Sequence, residues 1–268
     1  MPSNRTNKPA FPPPPGGAID GEPIWPLRRI DSITATVTTH SGAEPALLTL
    51  QPRGDVRCVA LLAHGGRSRS TRPTGAVQPT ALRIYPFLLD LHRAGRRDGL
   101  ATCQLRYRVR GYNDDDPVRD VEWALGEIAQ RHGDVPVCLV GHSMGGRSVL
   151  RAAGGAHVRA VAALAPWLPP GEPVGQLQGR TVVIAHGTRD RVTSPAGSLA
   201  YALAAHDAAE RLCRFEVARS GHAMLERIGA WQRLVRRTVL PALGIGSWDE
   251  TLTRAFSLPA AEACRVPL

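Results

Sequence analysis

Near-continuous apolar runs alternate with stretches of helical period along most of the chain. Residues 56–63, 100–105, 137–140, 158–165 and 180–185 are runs of the kind that strands show when helices cover both of their faces. Upstream, residues 33–39 are rich in β-branched side chains, and residues 46–50 follow the turn-forming Ser41-Gly42, which predicts a hairpin. Between the apolar runs the period lengthens. A helix is expected over residues 86–94, opened by Pro86 at its first turn. Another is opened by Pro117 and capped by Asp116, with Val118, Val121, Leu125 and Ile128 on its inner face. A third is expected near 196–212, followed by a last strand near 214–218 and a closing helix containing Trp231 and Leu234. This alternation predicts an α/β fold: a doubly wound, mainly parallel sheet with helices on both faces and ligands at the carboxyl ends of its strands.

Composition narrows this picture without changing it. The 268 residues, 43% apolar and 21% charged, suit a single large domain over residues 28–268. It is preceded by a Pro-rich arm over residues 1–27 with FPPPPGG at its centre. The net charge of +10 is carried almost wholly by arginine, since Lys8 is the lone lysine. These arginines are scattered rather than clustered among aromatics, so no nucleic-acid partner is expected. No apolar run is long enough to cross a bilayer, and the amino terminus lacks the apolar core of a signal peptide, so no membrane partner and a cytoplasmic location are expected. The five cysteines form no C-x-x-C pair and read as buried apolar side chains in a reducing compartment, with no metal implied.

Four short stretches fall at predicted strand ends. The first is VCLVGHSMGG, residues 137–146, in which Gly141 and Gly145 flank Ser143 in the pattern G-x-S-x-G. Missing β-carbons there let a strand turn sharply into a helix with the hydroxyl at the apex. A Gly-rich strand-to-helix turn also binds phosphate in dinucleotide folds, so the remaining stretches must decide. In HGTRDRVTSP, Asp190 stands in a turn past a buried strand, where it could close the turn or orient an imidazole. In SGHAM, His222 follows the last strand. Ser143, Asp190 and His222 thus occur in the chain order of a nucleophile, acid and base on such a sheet. The fourth stretch, His64-Gly65-Gly66, ends an early strand, and the N–H groups of Gly66 and Met144 are the candidate donors to a developing oxyanion. His64 reads as a residue that fixes this loop.

With LLAHGG, VCLVGHSMGG, VVIAHGTRDRVTSP and SGHAM in this order, residues 33–240 resemble the α/β-hydrolase family. The resemblance implies an eight-stranded sheet with an antiparallel start, Ser143 as nucleophile, His222 as general base and acid, Asp190 as its orienting partner, and no cofactor. Dienelactone hydrolases, which the compact chain is similar to, carry cysteine where Ser143 stands, and haloalkane dehalogenases carry aspartate there. Neither chemistry is expected. Only residues 167–179 occupy the place where many relatives insert a helical cap, so a fairly open site is expected. Around it, Arg67, with Arg69 and Arg72, could hold an anionic substrate or be solvated, Trp167 could form an apolar wall, and residues 107–112 could line the pocket. The expected activity is cleavage of a small carboxylic ester through an acyl-enzyme. Thioesterase, peptidase and acyltransferase are the alternatives on the same triad, and a non-catalytic small-molecule binding protein is the alternative of another class.

Overall fold

The computed structural model describes residues 35–38, 44–75 and 78–268. The Pro-rich arm of residues 1–27 lies outside the described residues. In chain order the strands are β1 (Ala35–Thr38), β2 (Ala46–Leu50), β3 (Cys58–Ala63), β4 (Leu100–Arg106), β5 (Val137–His142), β6 (Val158–Leu164), β7 (Thr181–Gly187), β8 (Arg211–Val217) and the two-residue β9 (Val266–Pro267). The helices are α1 (Pro79–Gly95), α2 (Asp116–His132), α3 (Met144–Arg151), α4 (Pro195–Ala205), α5 (Ile228–Ala242), α6 (Glu250–Ser257) and α7 (Ala260–Ala263). One sheet holds all the strands in the order β1-β2-β4-β3-β5-β6-β7-β8-β9. Pairing is antiparallel for β1 with β2 and β2 with β4, and parallel for every other pair.

The apolar runs are strands because successive side chains enter two separate cores. Val59, Leu61 and Ala63 of β3 pack beneath α2, α3 and α4, whereas Cys58, Ala60 and Leu62 pack against α1, α5 and α6. A strand served on both faces needs no polar alternation. All five cysteines are buried free thiols.

Three element boundaries differ from the sequence reading. Pro86 does not open α1 but lies inside it, and the proline at the helix start is Pro79. The buried stripe Ile84, Phe87, Leu88 and Leu91 recurs at helical spacing on both sides of Pro86, so packing carries the helix through a residue that cannot donate its N–H. Asp116 is not the cap of α2. The cap position is Asp115, in the left-handed region at φ 61°, and its side chain makes no capping bond. Asp116 sits in the first turn, where it pairs with Arg119 at 2.6 Å and accepts from Asn113 Nδ2 at 3.0 Å. On the inner face of α2, Ala124 is fully buried and Leu125 only partly. The helix expected over 196–212 ends at Ala205, because Arg211, Leu212 and Cys213 pair with Thr181, Val182 and Val183 of β7 and so begin the last long strand.

The carboxyl-terminal elements α6, α7 and β9 were not foreseen. Buried Arg214 ties them to the sheet: its guanidinium donates to Cys264 O and Glu216 Oε1, both at 2.9 Å, to Ser198 Oγ at 3.0 Å and to Pro195 O at 3.1 Å. A guanidinium satisfied at this many positions can be buried without an unpaired charge. Among the described residues, no helix is long and apolar enough to cross a membrane.

Candidate active site

Ser143 joins β5 to α3 with φ 58° and ψ −118°, a conformation that residues with a β-carbon rarely adopt. Three backbone bonds hold it there. Its N–H donates to Leu164 O at 3.0 Å, and its carbonyl accepts from Trp167 N at 3.1 Å and Arg147 N at 3.2 Å. The flanking glycines are a steric necessity. A β-carbon at Gly141 would overlap the carbonyl of Gly145, and one at Gly145 would overlap the carbonyl of Ala63. The serine is thus pinned above the sheet between two close backbone approaches.

The structure brings Asp190 and His222 to this serine. His222 Nε2 lies 3.0 Å from Ser143 Oγ, and His222 Nδ1 lies 2.8 Å from Asp190 Oδ2. Asp190 follows β7, His222 follows β8, and the two parallel strands end side by side. The Asp190 side chain is fully buried. Burial works against its charge. That penalty is outweighed by hydrogen bonds from His186 and His222 and from the N–H groups of Thr193 and Val192, which hold the carboxyl well below the usual carboxylate range. An ionised Asp190 fixes the proton of His222 on Nδ1 and leaves the Nε2 lone pair facing the serine hydroxyl.

Two partners of this carboxylate were not singled out from the sequence. Thr193 Oγ1 donates to Asp190 Oδ2 at 2.8 Å and stands 3.1 Å from His222 Nδ1. His186 Nε2 is 3.2 Å from the same oxygen, and burial lowers the affinity of its ring for a second proton. Val192, two residues after Asp190, donates its N–H to Oδ1 at 2.8 Å and closes an Asx turn that brings Thr193 to the carboxylate, and an Asp in a turn was a signal the sequence carried.

The loop after β3 lies against Ser143. A β-carbon on Gly65 would stand 3.2 Å from Ser143 Cβ, and one on Gly66 would stand 2.7 Å from Arg110 O and collide with the Met144 side chain. Among the described residues, neither the Gly66 nor the Met144 N–H donates to a backbone carbonyl. His64 donates from Nδ1 to Gly65 O at 2.7 Å, and its complete burial pulls its pKa down to about 4.

A groove lined by Ser68, Arg69, Tyr112, Asn113, Arg147 and Trp167, among others, adjoins the Ser143 turn through Arg147 and Trp167, whose N–H groups donate to Ser143 O, while Ser143, Asp190 and His222 are not part of its lining. Trp167 packs edge-on against Tyr112 with ring centres 5.6 Å apart. The Arg147 guanidinium stacks 3.7 Å from the Tyr112 ring centre and pairs with Glu172 at 2.6 Å. Arg147, absent from the sequence reading, is therefore the guanidinium next to Trp167. Arg67 is exposed and does not line the groove, and its backbone bridges to Arg110 O and Tyr112 N. Tyr107 is buried against His64 and does not line the groove either. Between β6 and β7 the only helical segment is the single 3-10 turn Gly175–Leu177.

The strand order, with an antiparallel start, and a serine on a strained turn after β5 define the α/β-hydrolase fold. A family model described as alpha/beta hydrolase fold matches residues 86–216 of the chain. It is similar to MGS-M1, an alpha/beta hydrolase enzyme from a Medee basin deep-sea metagenome library, at 16% identity and a TM-score of 0.61, over 79% of this chain and 98% of that one. It is similar also to Est1E from Butyrivibrio proteoclasticus, at 14% identity and a TM-score of 0.54, over 75% and 96% of the two chains. A third likeness is to an α/β serine hydrolase without lid from Xanthomonas campestris, at 14% identity and a TM-score of 0.52, over 78% and 94%. At these identities the likeness is one of fold. No curated protein matches the chain by sequence.

Proposed function

We propose that this chain is a serine hydrolase that cleaves carboxylic esters through an acyl-enzyme. The observation that carries the reading is the unbroken line from Ser143 Oγ through the His222 imidazole to Asp190, with contacts of 3.0 and 2.8 Å. Ser143 Oγ attacks the ester carbonyl carbon as His222 Nε2 takes the hydroxyl proton. Asp190 stabilises the imidazolium that results. The carbonyl oxygen, now negative, lies toward the N–H groups of Gly66 and Met144, each worth on the order of 3 kcal/mol to the transition state. The bond to the alcohol oxygen then breaks, and His222 returns its proton to that oxygen. Water attacks the acyl carbon with His222 as base, and Ser143 leaves with a proton restored to it. Trp167 walls the acyl or alcohol group, and Arg67, outside the groove, gives way to Arg69 and Arg147 as the arginines nearest a substrate.

A panel of p-nitrophenyl esters of graded acyl length, assayed on wild type and on Ser143→Ala, tests this reading. Turnover of at least one ester, abolished in Ser143→Ala, is expected. No turnover of any ester, alongside turnover of acyl thioesters or peptide amides, would move the same residues to a different substrate. No turnover of any acyl substrate would favour a binding protein.

A further inference from the structure

We infer that His142 is a positioning residue for the base, its Nε2–H clamping the main-chain carbonyl of His222 so that the imidazole stays in line with Ser143. The inference rests on the reading of His222 as general base. His142 is the last residue of β5 and immediately precedes the nucleophile. Its side chain is buried, its Nε2 lies 3.0 Å from His222 O, and the two imidazoles pack with centres 4.8 Å apart. His222 stands in a loop between β8 and the single turn Leu225–Arg227. Among the described residues, this is the only hydrogen bond made by the His222 main chain. The strand that presents the nucleophile therefore also holds the backbone that presents the base.

The chemistry of the ring supports a role as donor. Burial, with the neighbouring His222 next, pulls the His142 pKa down to about 3, so the ring is neutral and has one proton to give. The carbonyl of His222 claims that proton at Nε2, leaving Nδ1 a buried lone pair with no partner among the described residues. Nδ1 faces the loop after β3, where a β-carbon on Gly65 would come within 3.3 Å of it. An orphaned buried acceptor is a cost that an aliphatic side chain of similar volume would avoid, so the feature that sets histidine apart here is the N–H it places on His222.

Glutamine and asparagine separate the donor from the ring. The amide nitrogen of glutamine reaches as far from the backbone as imidazole Nε2, whereas that of asparagine stops near the depth of Nδ1. His142→Gln is expected to keep kcat/KM on esters within about threefold of wild type, and His142→Asn to lose about thirtyfold in kcat with KM little changed. Equal losses in both variants, or none in His142→Asn, would overturn the inference. Nitrogen-15 NMR of the wild-type imidazoles gives a readout that no folding failure can obscure: His142 is expected as the Nε2–H tautomer, and the Nδ1–H tautomer would overturn the clamp. His222→Ala, assayed in the same series, tests the underlying reading separately. Wild-type turnover in that variant would end the assignment of His222 as base, whatever the His142 tautomer.

Discussion

Replacing Asp190 by asparagine tests the electrostatic centre of the site with one atom. The carboxylate Oδ1 accepts from Val192 N at 2.8 Å and Thr193 N at 3.0 Å, so the amide oxygen takes that side and the NH2 replaces Oδ2. The new donor then faces His222 Nδ1, Thr193 Oγ1 and His186 Nε2, each of which met an acceptor before. Thr193 can turn its hydroxyl to Ala165 O, 3.2 Å away. His222 can accept at Nδ1 only by moving its proton to Nε2, which leaves no lone pair for the Ser143 proton. His186 Nε2 exchanges the carboxylate for Thr193 Oγ1, 3.3 Å away. The expected loss in kcat/KM is about 10⁴-fold, or about 5 kcal/mol, because the wrong tautomer removes the base. The stability loss is smaller, about 1–3 kcal/mol for the charge-assisted bonds lost at Oδ2, or a fall in Tm of roughly 2–12 °C. Ester kinetics alongside a thermal melt read both quantities. Activity within tenfold of wild type would refute the reasoning, since no route to the Ser143 proton through an Nε2–H imidazole exists.

Three further outcomes follow from the same geometry. Ser143→Ala should abolish ester turnover without lowering the melting temperature, because the serine Oγ is not a capping acceptor for α3; a large destabilisation would contradict this. Gly145→Ala should destabilise the fold by about 1–3 kcal/mol or more in a urea titration and depress turnover, since its β-carbon meets backbone rather than a flexible side chain; an unchanged midpoint would show that the loop after β3 can yield. Stability should fall on acidification, because buried His64 and His142 have pKa values lowered to about 4 and about 3. The unfolded chain takes up their protons below about pH 6.5 and the native state does not, so this stabilisation is whole above that pH and drains away towards pH 4 and 3. Urea midpoints that stay flat between about pH 7 and pH 4.5 would contradict it.

The parallel sheet was legible because its central strands are apolar on both faces, a pattern that residues 56–63 and 158–165 carry without any tertiary information. Pro86 misled because local rules make proline a helix opener, while the buried stripe on both sides of it is a tertiary fact. Arg211 and Leu212 misled in the opposite sense, since only pairing with β7 makes them strand. At the site, Ser143, Asp190 and His222 could be picked out because fold and chain order predict where strand ends gather. Their supporting contacts could not. His142 reaches His222 across 80 positions of sequence, and Arg147 is selected for the groove by the stacking of Tyr112 and its pair with Glu172. Arg67, Arg69 and Arg72 were read together from their place in the loop after β3, and of the three Arg69 lines the groove.

Mapping the adduct of a fluorophosphonate probe reads the activation of the Ser143 hydroxyl by His222. One adduct per chain is expected, on the peptide that contains Ser143, absent in Ser143→Ala and formed at least about a hundredfold more slowly in His222→Ala. An adduct on another residue, or an unchanged rate in His222→Ala, would contradict a hydroxyl activated by that imidazole.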